Sequence, residues 1–498
     1  MPVSTAAAAV VLATATLAVP ASPTADAAGS AAGAPVTVTV SPTPAQTIAG
    51  FGASGAWWVN DLARFSPANQ WRAAELLFGA RGLRLSAYRH NIGGGGVGVA
   101  PGDRAPETPL VSPGVYDWSR DPGGTRFLRY ADRYGVRDIV GFVNSAPPVW
   151  KDNGKSCGGR LRAGSEAAYA GYLADVVTHF ARRGVEIDYL SPMNEPTNSF
   201  DGAPCSQEGM LVDVDRRDDV VRALGRELAA RSPGTRISAD ESTSAFHFLF
   251  EVPRWMSQPD TAQHVATLAH HTYDYPPDSW LAGVAAVGRY FGKPTWATEI
   301  CCFTGIDQAG GQQYDPTITS ALAMSSIIHR DLAVADASAF HWWTALSKVM
   351  GCSPGSDPAC ATQVNDRGYN DGLVYFDPDY ATDGNQRLYL TKRYHAMAQY
   401  SRYVRPGAVR HAVTGAPAGV QVLATRAGDT WTLVVNNLTT GPQAVDVRFG
   451  TGLAATAAYR TSATEDVARV ARPRVRGDLA ALDLPARSIT TYVFRQRT

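Results

Sequence analysis

Two glutamates stand where they could do chemistry together. Glu195 closes the segment Tyr-Leu-Ser-Pro-Met-Asn-Glu-Pro, and Glu299 closes Pro-Thr-Trp-Ala-Thr-Glu. Each follows a short apolar run of the kind that reads as a buried strand. Two carboxylates facing one cleft are what glycosidic bond hydrolysis requires. One protonates the leaving oxygen, and the other attacks the anomeric carbon or activates water. Polar neighbours then split the two groups so that one keeps its proton. Taken alone, either glutamate reads as the strand-end partner of an arginine, so the inference rests on the pair.

Other residues at strand ends agree with a sugar ligand. Trp57-Trp58, Trp150 and Trp342-Trp343 each follow or end a candidate strand. The C–H faces of sugars pack on indole rings, and each ring offers one N–H donor. The plain alternative is that some of these rings fill the space beneath the cleft. His270-His271-Thr-Tyr273 ends another strand; without an H-E-x-x-H pattern it reads as a hydrogen-bonding element beside a carboxylate, not a metal site. Arg84, inside the candidate second strand, could orient a glutamate. The run Gly93–Gly96 lacks the Lys-Ser/Thr of a phosphate loop and reads as a loop that a ligand or another backbone approaches closely. Gly52-Ala-Ser54-Gly-Ala falls one glycine short of a nucleophile elbow, and no histidine is placed for a triad, which disfavours a serine hydrolase. A non-catalytic carbohydrate-binding protein would keep the aromatics and have no need of the paired carboxylates. Neither a cofactor nor a metal is expected.

The elements that must position these groups alternate. Apolar runs at 48–53, 82–88, 138–144, 189–194, 236–239, 268–273, 294–299 and 337–343 read as strands, with helical patterns between several of them. Tyr169, Tyr172, Leu173, Val176, Val177 and Phe180 recur at helical spacing, with Ser165 and Gly184 as cap candidates. Eight strands with intervening helices predict a (β/α)8 TIM barrel, whose functional groups gather at the C-terminal ends of the strands. Beyond about residue 405 the pattern changes to alternating runs separated by Gly, Asn and Pro, an antiparallel β-sandwich side domain. The expected organisation is a secretory leader at 1–28, an N-terminal strand at 36–48 joining the β-domain, a barrel at 49–404 and the side domain at 405–498.

Composition narrows the function further. The chain has 498 residues, 45 Lys+Arg and 45 Asp+Glu, a net charge of +0 that argues against a nucleic-acid partner. Ala6 to Val19 is an uncharged apolar run followed by small residues, resembling a secretory signal although no cationic residue precedes it. It is interrupted and too short to span a membrane. Six cysteines fit an exported protein. Cys352 and Cys360 could close a local loop, and Cys157 and Cys205 could pair between loops. Cys301 and Cys302 are adjacent, and the connectivity stays open. A secreted, extracellular and monomeric protein acting on a polysaccharide or oligosaccharide is expected.

Several segments in order resemble glycoside hydrolase family 30: residues 46–52, 82–86, 144–150, Ser191-Pro-Met-Asn-Glu-Pro196, Ala297-Thr-Glu299 and 394–407. That family belongs to the clan with glutamates on barrel strands four and seven. The resemblance implies that Glu195 is the acid/base and Glu299 the nucleophile of a retaining mechanism. It implies that Asn194 binds the sugar 2-hydroxyl and that Arg84, Trp150, His271, Tyr273 and Trp343 line the pocket. Residues 50–58 and 89–96 look most like the endo-β-1,6-galactanase branch, which trims arabinogalactan side chains; other activities of the family are the alternative.

Overall fold

The computed structural model describes residues 36–232, 234–302, 305 and 311–497, so the expected leader at 1–28 lies outside the described residues. Runs such as Ile139-Val-Gly-Phe142 are apolar on both faces, which suits parallel strands covered on both sides. Eight such strands close a barrel: Gly50–Ser54, Ala87–Asn91, Asp138–Phe142, Tyr189–Ser191, Arg236–Ser242, Val265–His271, Thr295–Glu299 and Ala339–Trp342. Closure is made by the last strand on the first, with Ala339 opposite Gly50 and Trp342 opposite Ala53.

The second strand differs from its expected position. Gly82-Leu-Arg-Leu is not a strand, because its carbonyls are already taken. Ser401 Oγ donates to Leu83 O at 2.6 Å, Arg402 Nε to Gly82 O at 2.5 Å and Arg405 Nη1 to Arg84 O at 2.6 Å. Leu83 and Leu85 are buried, and barrel pairing starts only at Ala87. Arg84 therefore lies at the N-terminal end of the barrel, exposed and at φ 53, away from the functional face.

Beneath the functional face the barrel is filled, as a packed core must be. Val140, Tyr189, Trp296 and Ala339 form their own buried cluster, with the rings of Tyr189 and Trp296 4.5 Å apart. Arg236 lies 3.9 Å over Tyr189. His341 fits above only because residue 52 is glycine: a Cβ there would stand 2.8 Å from the His341 ring. On the outside, the helix Glu166–Ala181 buries the expected stripe from Tyr169 to Phe180. Ser165 sits at its N-cap position without a capping side-chain bond, and Gly184 turns the chain beyond its end at φ 79.

Besides the barrel and two small sheets of three and two strands, the described residues form one ten-stranded sheet. Val36–Thr47 joins it at the centre, antiparallel to Val409–Thr414 and parallel to Gln443–Arg448. That parallel pair is a mixed feature in a sheet whose other pairs are antiparallel. Val38, Trp431, Leu433, Val447, Leu482 and Phe494 share one core, so the sheet curls over its own apolar face. Its other face meets the barrel helices Ile318–Ala333 and Lys392–Ser401, where Ser325 Oγ donates to Asn436 Oδ1 at 2.7 Å and Thr491 Oγ1 donates to Gln399 Oε1 at 2.6 Å. Cys157 pairs with Cys205, Cys352 with Cys360, and the adjacent Cys301 with Cys302. No helix among the described residues is long and apolar enough to cross a membrane.

Trp296 fills the barrel and is almost wholly buried. Trp296→Ala is expected to cost about 3–5 kcal/mol of stability, read from denaturant unfolding.

Candidate active site

The fourth strand ends at Ser191, and the chain then turns so that Glu195 takes φ 46. A glutamate in the left-handed region costs on the order of 1 kcal/mol or more and needs fixing from outside. Two bonds supply that: the Glu195 N–H donates to Glu241 O at 3.0 Å, and Tyr169 donates its hydroxyl to Pro192 O at 2.7 Å. Glu299 is the last residue of the seventh strand. One oxygen of Glu195 lies within 4.8 Å of one oxygen of Glu299, and both side chains are buried.

A buried arginine holds the group together. Arg89, on the second strand, donates to Glu299 Oε2 at 2.7 Å, Asn194 Oδ1 at 3.3 Å and Glu241 Oε2 at 3.2 Å. Its guanidinium lies 4.1 Å from the centre of the Phe142 ring. His271 bridges the other side: its Nδ1 is 2.9 Å from Glu195 Oε1 and its Nε2 is 3.0 Å from Glu241 Oε2. Tyr273 donates its hydroxyl to Glu299 Oε1 at 3.0 Å, and Asn198 donates to Glu195 Oε2 at 3.3 Å.

Burial alone would discharge these groups; their neighbours reverse it for Arg89, His271 and Glu241. His271 is pulled down by burial, but Glu299, Glu195 and Glu241 together push it up to about 10. Glu241 is pushed up by burial, yet Arg89, His271 and Thr298 bring it down to about 2. Glu299 ends above the ordinary glutamate value: burial and the Glu195 charge raise it, against the pull of His271 and Arg89. Glu195, His271 and Glu299 also have the donor types for a cation. Both ring nitrogens of His271 are instead engaged, Nδ1 with Glu195 and Nε2 with Glu241.

Of the residues singled out from sequence, the structure brings Asn194, Glu195, His271, Tyr273 and Glu299 into direct contact or one bond apart. Trp343 lines the mouth, its ring 5.1 Å from Trp57 and 6.3 Å from Phe142. Trp58 and Trp342 instead point into the core, donating to Ser54 O and Asp371 O. Trp150 packs 5.4 Å from Tyr172, in the aromatic layer over the helix Glu166–Ala181. Arg84 is not in the site; Arg89 occupies the place expected for it, five residues on, because the strand begins later. Glu241 was missed, although it sits near the end of the fifth strand, the criterion that found the other two glutamates. Glu208 was missed as well. It accepts from Gly94 N at 3.0 Å and Gly96 N at 2.8 Å, and burial pushes it up to about 7. The glycine run is thus approached by other protein groups: a Cβ at Gly94 would stand 2.7 Å from Ser145 O.

The His271–Glu241 pair sets a pH dependence. His271 is raised from 6.5 to about 10, so its stabilising contribution is full below pH 6.5 and is lost as pH rises through about 10. Glu241 is lowered from 4.5 to about 2, so its contribution is full above pH 4.5 and is lost as pH falls through about 2. Glu241→Gln is expected to cost about 3–5 kcal/mol, as for one partner removed from a buried pair. Thermal unfolding across pH should show that cost greatest between about 4.5 and 6.5 and shrinking towards pH 10.

Comparisons with known proteins converge on one family. Residues 35–260 match the model of O-Glycosyl hydrolase family 30. The chain is 24% identical over 363 residues to glucuronoxylanase XynC of Bacillus subtilis, covering 71% of this chain and 72% of that protein. It is 28% identical over 232 residues to the endo-beta-1,6-galactanase of Hypocrea rufa, covering 40% of this chain and 47% of that protein. The fold superposes on the catalytic domain of GH30 xylanase C from Talaromyces cellulolyticus with a TM-score of 0.71 at 23% identity, over 93% of this chain and 100% of that one. With a closed barrel, a companion β-sheet and two facing carboxylates at strand ends, the chain carries over residues 35–260 a domain that matches O-glycosyl hydrolase family 30.

Proposed function

We propose that this glycoside hydrolase is a secreted, retaining enzyme that acts on β-linked polysaccharide with Glu299 as nucleophile and Glu195 as acid/base. The observation that carries the reading is the approach of the two carboxylates to within 4.8 Å, oxygen to oxygen. Retaining enzymes hold their carboxyls about 5–5.5 Å apart, whereas inverting ones leave about 6.5–9.5 Å for a water. Arg89 and Tyr273 donate to different oxygens of Glu299, which fixes its aim, and Arg89 with His271 pulls against the burial that raises it. In the first step a Glu299 oxygen bonds the anomeric carbon while Glu195 gives its proton to the leaving oxygen. In the second, Glu195 takes a proton from water, and that water breaks the glycosyl–enzyme ester. His271, charged and bonded to Glu195, follows the change of charge there. Because Asn194 Oδ1 accepts from Arg89, its amide nitrogen is left for a sugar hydroxyl. Trp343, with Trp57, offers a ring face at the mouth. Three disulfides fit an oxidising, extracellular location.

For the substrate we propose β-1,6-galactan of arabinogalactan side chains, supported by the segments at 50–58 and 89–96 and by the similarity to a β-1,6-galactanase. The longer alignment with a glucuronoxylanase favours xylan as the second reading. Product analysis on β-1,6-galactan, β-1,6-glucan and glucuronoxylan decides between them: β-1,6-galacto-oligosaccharides are expected, and release of xylo-oligosaccharides alone would select the second.

The two roles separate by stereochemistry. Glu195→Ala is expected to slow cleavage of a natural linkage by about 10²–10⁴-fold. Added azide should restore turnover of an aryl glycoside and give the β-glycosyl azide, the product of two inversions. Glu299→Ala with azide should give the α-glycosyl azide by one inversion. The opposite anomers would exchange the assigned roles.

A further inference from the structure

Three large apolar rings lie in the open outside the cleft. Phe246 is 46% exposed, Phe250 60% and Trp280 36%. They are neighbours: the Phe246 ring centre is 4.8 Å from that of Phe250 and 5.9 Å from that of Trp280. Single exposed apolar side chains are ordinary, but clustered ones mark an interaction surface. Phe246 and Phe250 stand on the helix Ala245–Met256, and Trp280 on the helix Asp278–Phe291. The two helices approach closely at Gly283, where a Cβ would lie 2.8 Å from Leu249, so the rings share one ridge.

The ridge is continuous with the active site. The first helix starts just after the fifth strand, which carries Glu241, and the second follows the loop after the sixth, which carries His271. That loop reaches both ways. Tyr273 donates to Glu299, while the next residue, Asp274, accepts from Ala245 N at 3.1 Å and Phe246 N at 3.0 Å. The platform is therefore held on the same rim of the barrel as the carboxylates. The cations on this flank are already engaged: Arg217 with Glu251 at 2.7 Å and Arg330 with Asp278 at 2.8 Å. An anionic chain finds no free positive charge in that set and meets the Asp274 carboxylate.

We propose that Phe246, Phe250 and Trp280 form a stacking platform for a neutral polysaccharide chain, an outlying binding site that holds long substrates beside the cleft. The inference rests on the glycosidase reading above. Sugar rings present apolar C–H faces that aromatic side chains cover, and a platform built into adjoining helices loses little freedom on binding.

The test uses the full chain and a Phe250→Ala/Trp280→Ala double variant. Both positions are exposed, so stability should change little, which thermal unfolding checks. Affinity for soluble β-1,6-galactan, measured by native-gel retardation in a Glu299→Gln background, should fall about tenfold. In the otherwise unsubstituted enzyme, kcat/KM on the long polymer divided by that on a short aryl glycoside should fall about tenfold, through KM. Retardation by glucuronoxylan should be weak from the outset. Unchanged retardation and an unchanged ratio, with the parent enzyme active, would overturn the platform and leave the glycosidase reading intact. Loss of retardation in a protein whose parent cleaves no glycan would uphold the platform and remove the catalytic reading. A dimer in sedimentation that the double variant dissociates, with polymer affinity unchanged, would make the ridge a self-association face and overturn the proposal.

Discussion

Arg89 and its three carboxyl and amide partners are the constraint from which the site follows. A guanidinium taken wholly out of water must be surrounded by acceptors, because an unpaired buried charge is prohibitively unfavourable. Through Nη1 and Nη2, Arg89 draws Asn194, Glu241 and Glu299 from the fourth, fifth and seventh strand ends to one point, while its buried Nε has no hydrogen-bond partner among the described residues. His271 repeats the arrangement between Glu195 and Glu241. Such a network is weak as a source of net stability, since desolvation consumes most of its Coulomb energy. What it supplies is position. Two cations balance two carboxylates, and the third carboxylate has no countercharge left. The rise of Glu299 above its ordinary range, driven by burial and by Glu195, expresses that imbalance.

The surroundings keep this arrangement rigid in layers. Below it, Tyr189 and Trp296 fill the barrel, so the charged layer cannot sink towards the other end. Around it, Glu208 ties the glycine loop after the second strand to the loop after the fourth, and Cys157–Cys205 joins the loops after the third and fourth strands. Behind it, the helix Lys392–Ser401 is clasped between the sheet and the barrel. Tyr394 donates to Leu76 O at 2.9 Å, and Ser401 and Arg402 hold the carbonyls of 82 and 83. Those bonds stop the second strand from starting early, and so bring Arg89, not Arg84, to the functional end. The companion sheet thus reaches the chemistry through one helix and one strand offset.

The rings divide between the core and the mouth of the cleft. Trp58 and Trp342 find carbonyl acceptors for their indole N–H in the core, and bury completely. Trp57 and Trp343 stay partly exposed at the mouth, edge to face.

Local pattern alone determined a good deal of this protein. Short apolar runs ending in polar residues marked eight barrel strands, and Glu195, His271, Tyr273 and Glu299 were legible because each follows such a run. The change from helical to alternating period marked the second architecture, since side-chain periods of 3.6 and 2 differ over a few residues. What only the tertiary structure decided is whatever depends on a distant partner. The start of the second strand hangs on carbonyls captured by residues some 320 positions later. Glu241 becomes a structural anion only because Arg89 and His271 close on it from other strands. The parallel pairing of the first strand with Gln443–Arg448 arises from two chain ends meeting in one sheet. Strand ends are written in local sequence because burial is periodic along the chain. Which charges meet there is settled by long-range closure of the barrel, which no local window contains.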